Sequence, residues 1–302
     1  VAILVDPPRW PAHGTVWAHL VSDTSLVELH AFARSNGVPR RAFDLDHYDV
    51  PAERIDDLVE AGAERVEGRV LLSRLRGSGL RVRGADRADE TARRRRAELA
   101  GRWAALVDEP PPGWAELGEE LIARWSEPHR RYHDLVHLHD VLRHLDDLGD
   151  DGEEVTRSVR LAAWFHDAVY DGVPGVDEEA SAMLAEDRLR TVGVPAAEVT
   201  EVSRLVRLTA GHSPGPDDPA GAALCDADLA ILAAAPARYR IYGSAVRAEY
   251  AHVPDADFRR GRAAVLADLL GHDRLFTTAA GFRRWEQRAR ENIAAELGAL
   301  QS

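Results

Sequence analysis

Lysine is missing from this 302-residue chain, and all 38 basic residues are arginine. Schiff-base chemistry and a P-loop lysine are therefore excluded, whatever the origin of the bias, which reads as codon usage in a high-GC genome. Cysteine is nearly missing too. Cys225 stands alone, which rules out an intramolecular disulfide and any multi-cysteine zinc or iron–sulfur centre and fits a reducing cytoplasm. No window approaches the ~18 uninterrupted apolar residues of a transmembrane helix. The opening VAILVDPPRW lacks a basic region and is unlike a signal peptide, and Val1 reads as an alternative start. Positive charge is in deficit. A formal net charge of -13 gives no general pull toward nucleic acid or an anionic membrane, although local arginines can still meet the phosphate of a small molecule.

What remains is an ordinary globular composition, with 45% hydrophobic and 29% charged residues and a length that suits two domains. Residues 1–83 read as a small α/β unit. AILVD suggests a buried strand, Ser22 to Ala33 a helix, RAFDL at 41–45 a strand, and Gly68 to Leu75 a further helix, with Leu80-Arg81-Val82 returning as a strand. Residues 84–112 read as a charged helical linker and Pro-rich loop, partly packed on the domain that follows. From Trp114 onward the periodicity is helical: 115–126, 130–148, 154–171, 176–191, 195–210, 226–233, 236–252, 257–270 and 279–300. The expected fold class is α+β overall, a small α/β domain followed by an all-α domain over 113–302.

Three helical segments carry polar groups that are costly to bury. SVRLAAWFHDAVYD (158–171) is apolar almost all round, yet holds His166 and Asp167. A metal ion would satisfy both, as would a hydrogen-bonded core pair. In RRYHDLVHLHD (130–140), His133 and His137 are four apart and would share a helical face, with His129 one turn before. In ALCDADLAIL (223–232), Asp226 and Asp228 sit at an expected helix start, either as a cap or as ligands.

In this order the segments resemble the HD superfamily of metal-dependent phosphohydrolases. HDLVHLHDVLRHL is similar to its first helix, LAAWFHDAVYD to its signature helix, and CDADLAIL to its last aspartate segment. RYHDLVH, DEEASA (177–182), RAEYAHV (247–253) and FRRGRAAVLADLL (258–270) resemble one bacterial branch, and the likeness covers roughly residues 95–302. The resemblance implies His137, His166, Asp167 and Asp226 as metal ligands, with His133 and His212 as further ligands or substrate contacts. It implies one or two divalent ions, manganese, iron, cobalt, nickel or zinc in preference to magnesium. Metal-activated water would attack phosphorus in a nucleotide or other small phosphorylated metabolite. Asp167 would be catalytic as a ligand, and Asp171 and Glu179 are the acid–base candidates. Arg247, Arg259 and Arg262 are candidate phosphate clamps, and Tyr250 a stacking contact. A homodimer fits the resemblance. A di-iron oxygenase of the same fold and a non-catalytic nucleotide sensor are the alternatives.

Residues 1–83 resemble a small bacterial and phage domain family of unknown function (family 4031 of such domains) through ILVDPP (3–8), AHLVSDT (18–24), ELHAFA (28–33) and HYDVP (47–51). The phage pattern usually has cysteine where Ala18 stands, so a thiol role is not expected here. His19 and Asp23, four apart on an expected helix, could join Asp6, His47 and Asp49 in a second polar site or in a structural network.

Overall fold

A computed structural model describes residues 2–173 and 175–301. Val1, read above as a start, lies outside them. The chain divides into two compact units between Arg94 and Arg95, inside the segment expected to be a linker.

The first unit is built on a mixed sheet. Its strands are β1 (Ile3–Val5), β2 (Trp10–Ala12), β3 (Thr15–Ser22), β4 (Phe43–Asp44), β5 (His47–Pro51) and β6 (Glu64–Arg65). They lie in the order β4-β5-β3-β1-β6, with β2 paired to β3. β1 and β6 run parallel, and the other pairs are antiparallel. Alternation along β1 sends Ile3 and Val5 to one face and Leu4 to the other. The first face packs on α1 (Leu26–Ser35) and α2 (Ile55–Glu60) through Leu29, Ala33, Ile55 and Leu58. The second packs on α3 (Gly68–Gly77) through Leu71 and Leu75.

Three sequence expectations are corrected here. Ser22 ends β3, and the helix starts only at Leu26, where the Ser25 side chain accepts from Glu28 N–H as its N-cap. The strand expected over 41–45 is only Phe43–Asp44, after a 3-10 turn over Arg40–Ala42, and it pairs with the longer His47–Pro51. Residues 80–82 form no strand. Val82 N–H and the Arg81 guanidinium instead close on the buried Asp46 carboxylate.

α4 (Arg87–Ala104) runs on into the second unit, where its Leu99 and Trp103 are buried in the core. That unit is otherwise α5 (Trp114–Arg124), α6 (Leu135–Asp150), α7 (Arg157–Phe165), α8 (Val176–Thr191), α9 (Ala196–Leu208), α10 (Pro219–Leu229), α11 (Pro236–Glu249), α12 (Asp255–Gly271) and α13 (Ala279–Gln301). No single helix among the described residues is long and apolar enough to cross a membrane.

α7 is the axis of this unit, packed against α6, α8, α9 and α10. Leu161, Ala162, Ala163, Trp164 and Phe165 are all buried, so only its two ends reach polar surroundings. Trp103 and Trp114 stack at 4.5 Å, and each indole N–H donates to the other residue's carbonyl. A Cβ at Gly118 would collide with the Trp103 ring, so α5 approaches α4 only because residue 118 is glycine. Farther along, Leu232, Leu266, Phe276 and Ile293 form a smaller core joining α12 and α13.

Candidate metal centre

α7 stops at Phe165, with His166 as its C-cap, so the His-Asp pair lies at the helix end and not inside it. The side chains at this end are held. Trp125 Nε1–H donates to Trp164 O, and His166 Nδ1 meets Ala163 O at 2.9 Å. This contact leaves His166 Nε2 as the ring atom that faces His137 and the carboxylates. His137 reaches the same point from the first turn of α6, where Asp134 is the N-cap.

The donor atoms converge. His137 Nε2 and His166 Nε2 are 3.1 Å apart. Asp167 Oδ2 is 3.2 Å from His166 Nε2, and Asp228 Oδ1 is 3.1 Å from His137 Nε2. His137, His166 and Asp167 meet the spacing of a metal-binding group. The chemistry of this donor set, two imidazoles and two carboxylates with little exposure, fits a divalent transition metal.

The carboxylate that faces the two histidines beside Asp167 is that of Asp228, whereas Asp226 points elsewhere. Both sit near the C-terminal end of α10, not at a helix start. Residues two apart on a helix point to different sides. Asp226 turns to the start of α13, where its oxygens accept from the N–H and hydroxyl of both Thr277 and Thr278. Asp228 turns to the histidines, and its other oxygen, Oδ2, takes His212 Nε2 at 2.7 Å. His212 holds a left-handed backbone, φ 44°, uncommon outside glycine and often a mark of a functional position.

His133 is also moved. It precedes the N-cap of α6, so it shares no helical face with His137, and His129 lies outside the helix with Nε2 on Tyr170 O. Its Nδ1 meets Glu249 Oε2 at 2.7 Å, and Glu249 further accepts from the N–H groups of Arg131, Tyr132 and His133 and from Tyr170 OH. Glu249 was not singled out from the sequence, where its only signal was its place in RAEYAHV. Arg130, equally unremarked, is fully buried at its side chain. Its guanidinium donates to His133 O, Asp167 O and Ala168 O, tying the two histidine-bearing segments together.

Burial disfavours charge on His166, but Asp167 and Asp228 outweigh it and hold its pKa well above the ordinary value. Burial would raise both carboxylates, yet the His166 charge keeps Asp167 and Asp228 well below their usual range. His133 is likewise raised: burial opposes its charge, and the Glu249 hydrogen bond prevails.

A cavity of about 140 Å³ opens on this cluster, lined by His133, Asp167, Tyr170, His212, Asp228 and Tyr250 among others. Asp177 and Glu178 add two more carboxylates. Among its described lining residues there is no arginine. A neighbouring cavity of about 770 Å³ shares His212 and carries Arg274.

Five sequence candidates lie elsewhere. Asp171 is exposed, and it is its backbone N–H that donates to Asp177 Oδ2. Glu179 is exposed and pairs with Arg207. Arg247 donates to Tyr250 O and Val253 O, closing the turn after α11. Arg262 spans Glu296 and Tyr242, joining three helices. Arg259 similarly donates to Ala299 O and Leu300 O near the end of α13.

The comparisons bear on the other unit. Residues 3–78 match the family model described as protein of unknown function (DUF4031). No curated protein matches the chain, and no solved structure does. The DUF4031 segment covers the whole mixed sheet and α1 to α3.

Proposed function

We propose that the helical unit is an HD-type, metal-dependent phosphohydrolase acting on a nucleotide or another small phosphorylated metabolite. The observation that carries this reading is the convergence of His137 Nε2, His166 Nε2 and the carboxylates of Asp167 and Asp228, the last two of which line a cavity. These four residues would hold the ion, which when bound supplies an activated water and draws charge from a phosphoryl oxygen.

The cavity walls support a resident cation independently. Asp167, Asp177, Glu178 and Asp228 line it, and an anionic phosphate is repelled by that wall until positive charge is added. His133 takes the acid–base role expected of Asp171 or Glu179. Glu249 on Nδ1 raises its pKa against burial and so favours the imidazolium form, whose Nε2–H can be given to a leaving oxygen while Nδ1–H stays hydrogen-bonded to Glu249. His212 orients Asp228 through Oδ2. Arg274, on the neighbouring cavity, is the arginine available to a phosphate or the rest of the substrate.

Phosphate release across a panel of nucleotides and sugar phosphates, with manganese added, tests the reading. Asp228→Ala should lower turnover by more than the ~10–100-fold typical of losing a supporting hydrogen bond, and Asp167→Ala should do the same. His133→Gln should retain metal and lose turnover. Full activity in Asp167→Ala would end the proposal. A di-iron oxygenase is the second reading, favoured by His133 and His212 beside the cluster. Oxygen uptake with ferrous iron, and no phosphate release, would select it.

A further inference from the structure

The first unit holds a second convergence of imidazole and carboxylate, produced by strand register. β3 pairs antiparallel with β5 so that His19 lies opposite Asp49. His47 is two residues before Asp49 on β5, so all three side chains leave the same face of the sheet. The other face of these strands carries Ala18, Leu20, Tyr48 and Val50 into the core. Asp23, expected to accompany His19 on a helix, is on neither strand and binds Arg74 and Ala2 N–H instead.

The two imidazoles meet edge to face, with centroids 4.9 Å apart. His47 Nε2 is 3.5 Å from Asp49 Oδ1. One donor atom from each of His19, His47 and Asp49 lies within 4.8 Å of the others.

Each ring is backed by a carboxylate. His19 Nδ1 meets Asp6 Oδ2 at 3.0 Å, while its backbone N–H donates to Asp6 Oδ1 at 2.7 Å. His47 Nδ1 meets Asp46 Oδ1 at 2.7 Å. Asp46 is fully buried and is itself held by Arg81 and Val82 N–H. A carboxylate on Nδ1 fixes the proton there, leaves Nε2 as the lone-pair atom and strengthens it as a ligand. Asp49 further borders a cavity of about 570 Å³ lined by Trp10, Trp17, Arg41 and Arg54.

We propose that His19, His47 and Asp49 form a divalent transition-metal site of zinc type, with its open side toward the aromatic cavity. Three protein ligands with a free position is the pattern of a site that works on a ligand, not of a closed structural one. The inference is independent of the helical unit, since no residue is shared.

The test is calorimetric titration of the chelator-stripped full chain with zinc alone. Relative to the unaltered chain, Asp49→Asn should weaken one class of sites at least tenfold, and His19→Ala should remove it. His166→Ala should leave that class intact. Asp49 is 45% exposed at its side chain, so Asp49→Asn keeps the fold, which far-ultraviolet circular dichroism checks. Unchanged zinc binding in both first-unit variants would overturn the proposal. So would a chain in which every zinc equivalent is lost on His166→Ala.

Discussion

At the scale of single residues, Arg130 is the side chain on which most depends. It carries three carbonyls and sits over the rings of Trp125 and Tyr170. Arg130→Met would leave those carbonyls without a donor, a loss of about 3 kcal/mol, read as a lower urea midpoint. Arg130→Lys should restore only part of it, because an ammonium lacks the planar fork. An unchanged midpoint in Arg130→Met would refute the role. The same scale explains where sequence reasoning reached its limit. That His137, His166 and Asp167 lie close together was expected from polar groups set in apolar segments, although the His-Asp pair ends α7 and is not inside it. Asp226 and Asp228 were not separable, because their division rests on Thr277 and Thr278, 51 and 52 residues away. The arginines failed for the same reason: Glu296 and the end of α13 take Arg262 and Arg259, and no local pattern announces that.

At the scale of elements, the helices and the first strand were legible, β4 only in part, and the long β3 not at all. Amphipathic periodicity marked α5, α8, α9 and α13 to within a few residues, and the apolar run of α7 marked the central helix. β3 was missed because one of its faces is given over to His19 and Trp17, so the strand lacks the clean alternation of an ordinary half-buried strand. Helix packing gives a sharper prediction. Alanine at 118 would gain up to ~1 kcal/mol in helix propensity, but overpacking against Trp103 costs roughly 1–3 kcal/mol. Gly118→Ala should therefore destabilise, and a higher thermal midpoint would contradict the close approach of α4 and α5.

At the scale of the whole molecule, both units carry carboxylates tuned downward. Ala2 N–H, with Arg74, lowers Asp23 to about 2 in the first unit. The hydrogen bond from His139 lowers Glu98 to about 2 in the second. A carboxylate depressed on folding contributes stability above its unfolded pKa and loses it as pH falls through its folded pKa. Thermal midpoints should thus decline between about pH 4.5 and about pH 2, in Asp23→Asn less than in the unaltered chain. A flat acid limb would argue against both pairings.

The paired indoles of Trp103 and Trp114 have a practical consequence at this scale. Two chromophores stacked at 4.5 Å share their excitation, so the helical unit carries its own exciton label. Near-ultraviolet dichroism can follow its melting without an attached dye, in a chain that offers no side-chain amine to attach one to.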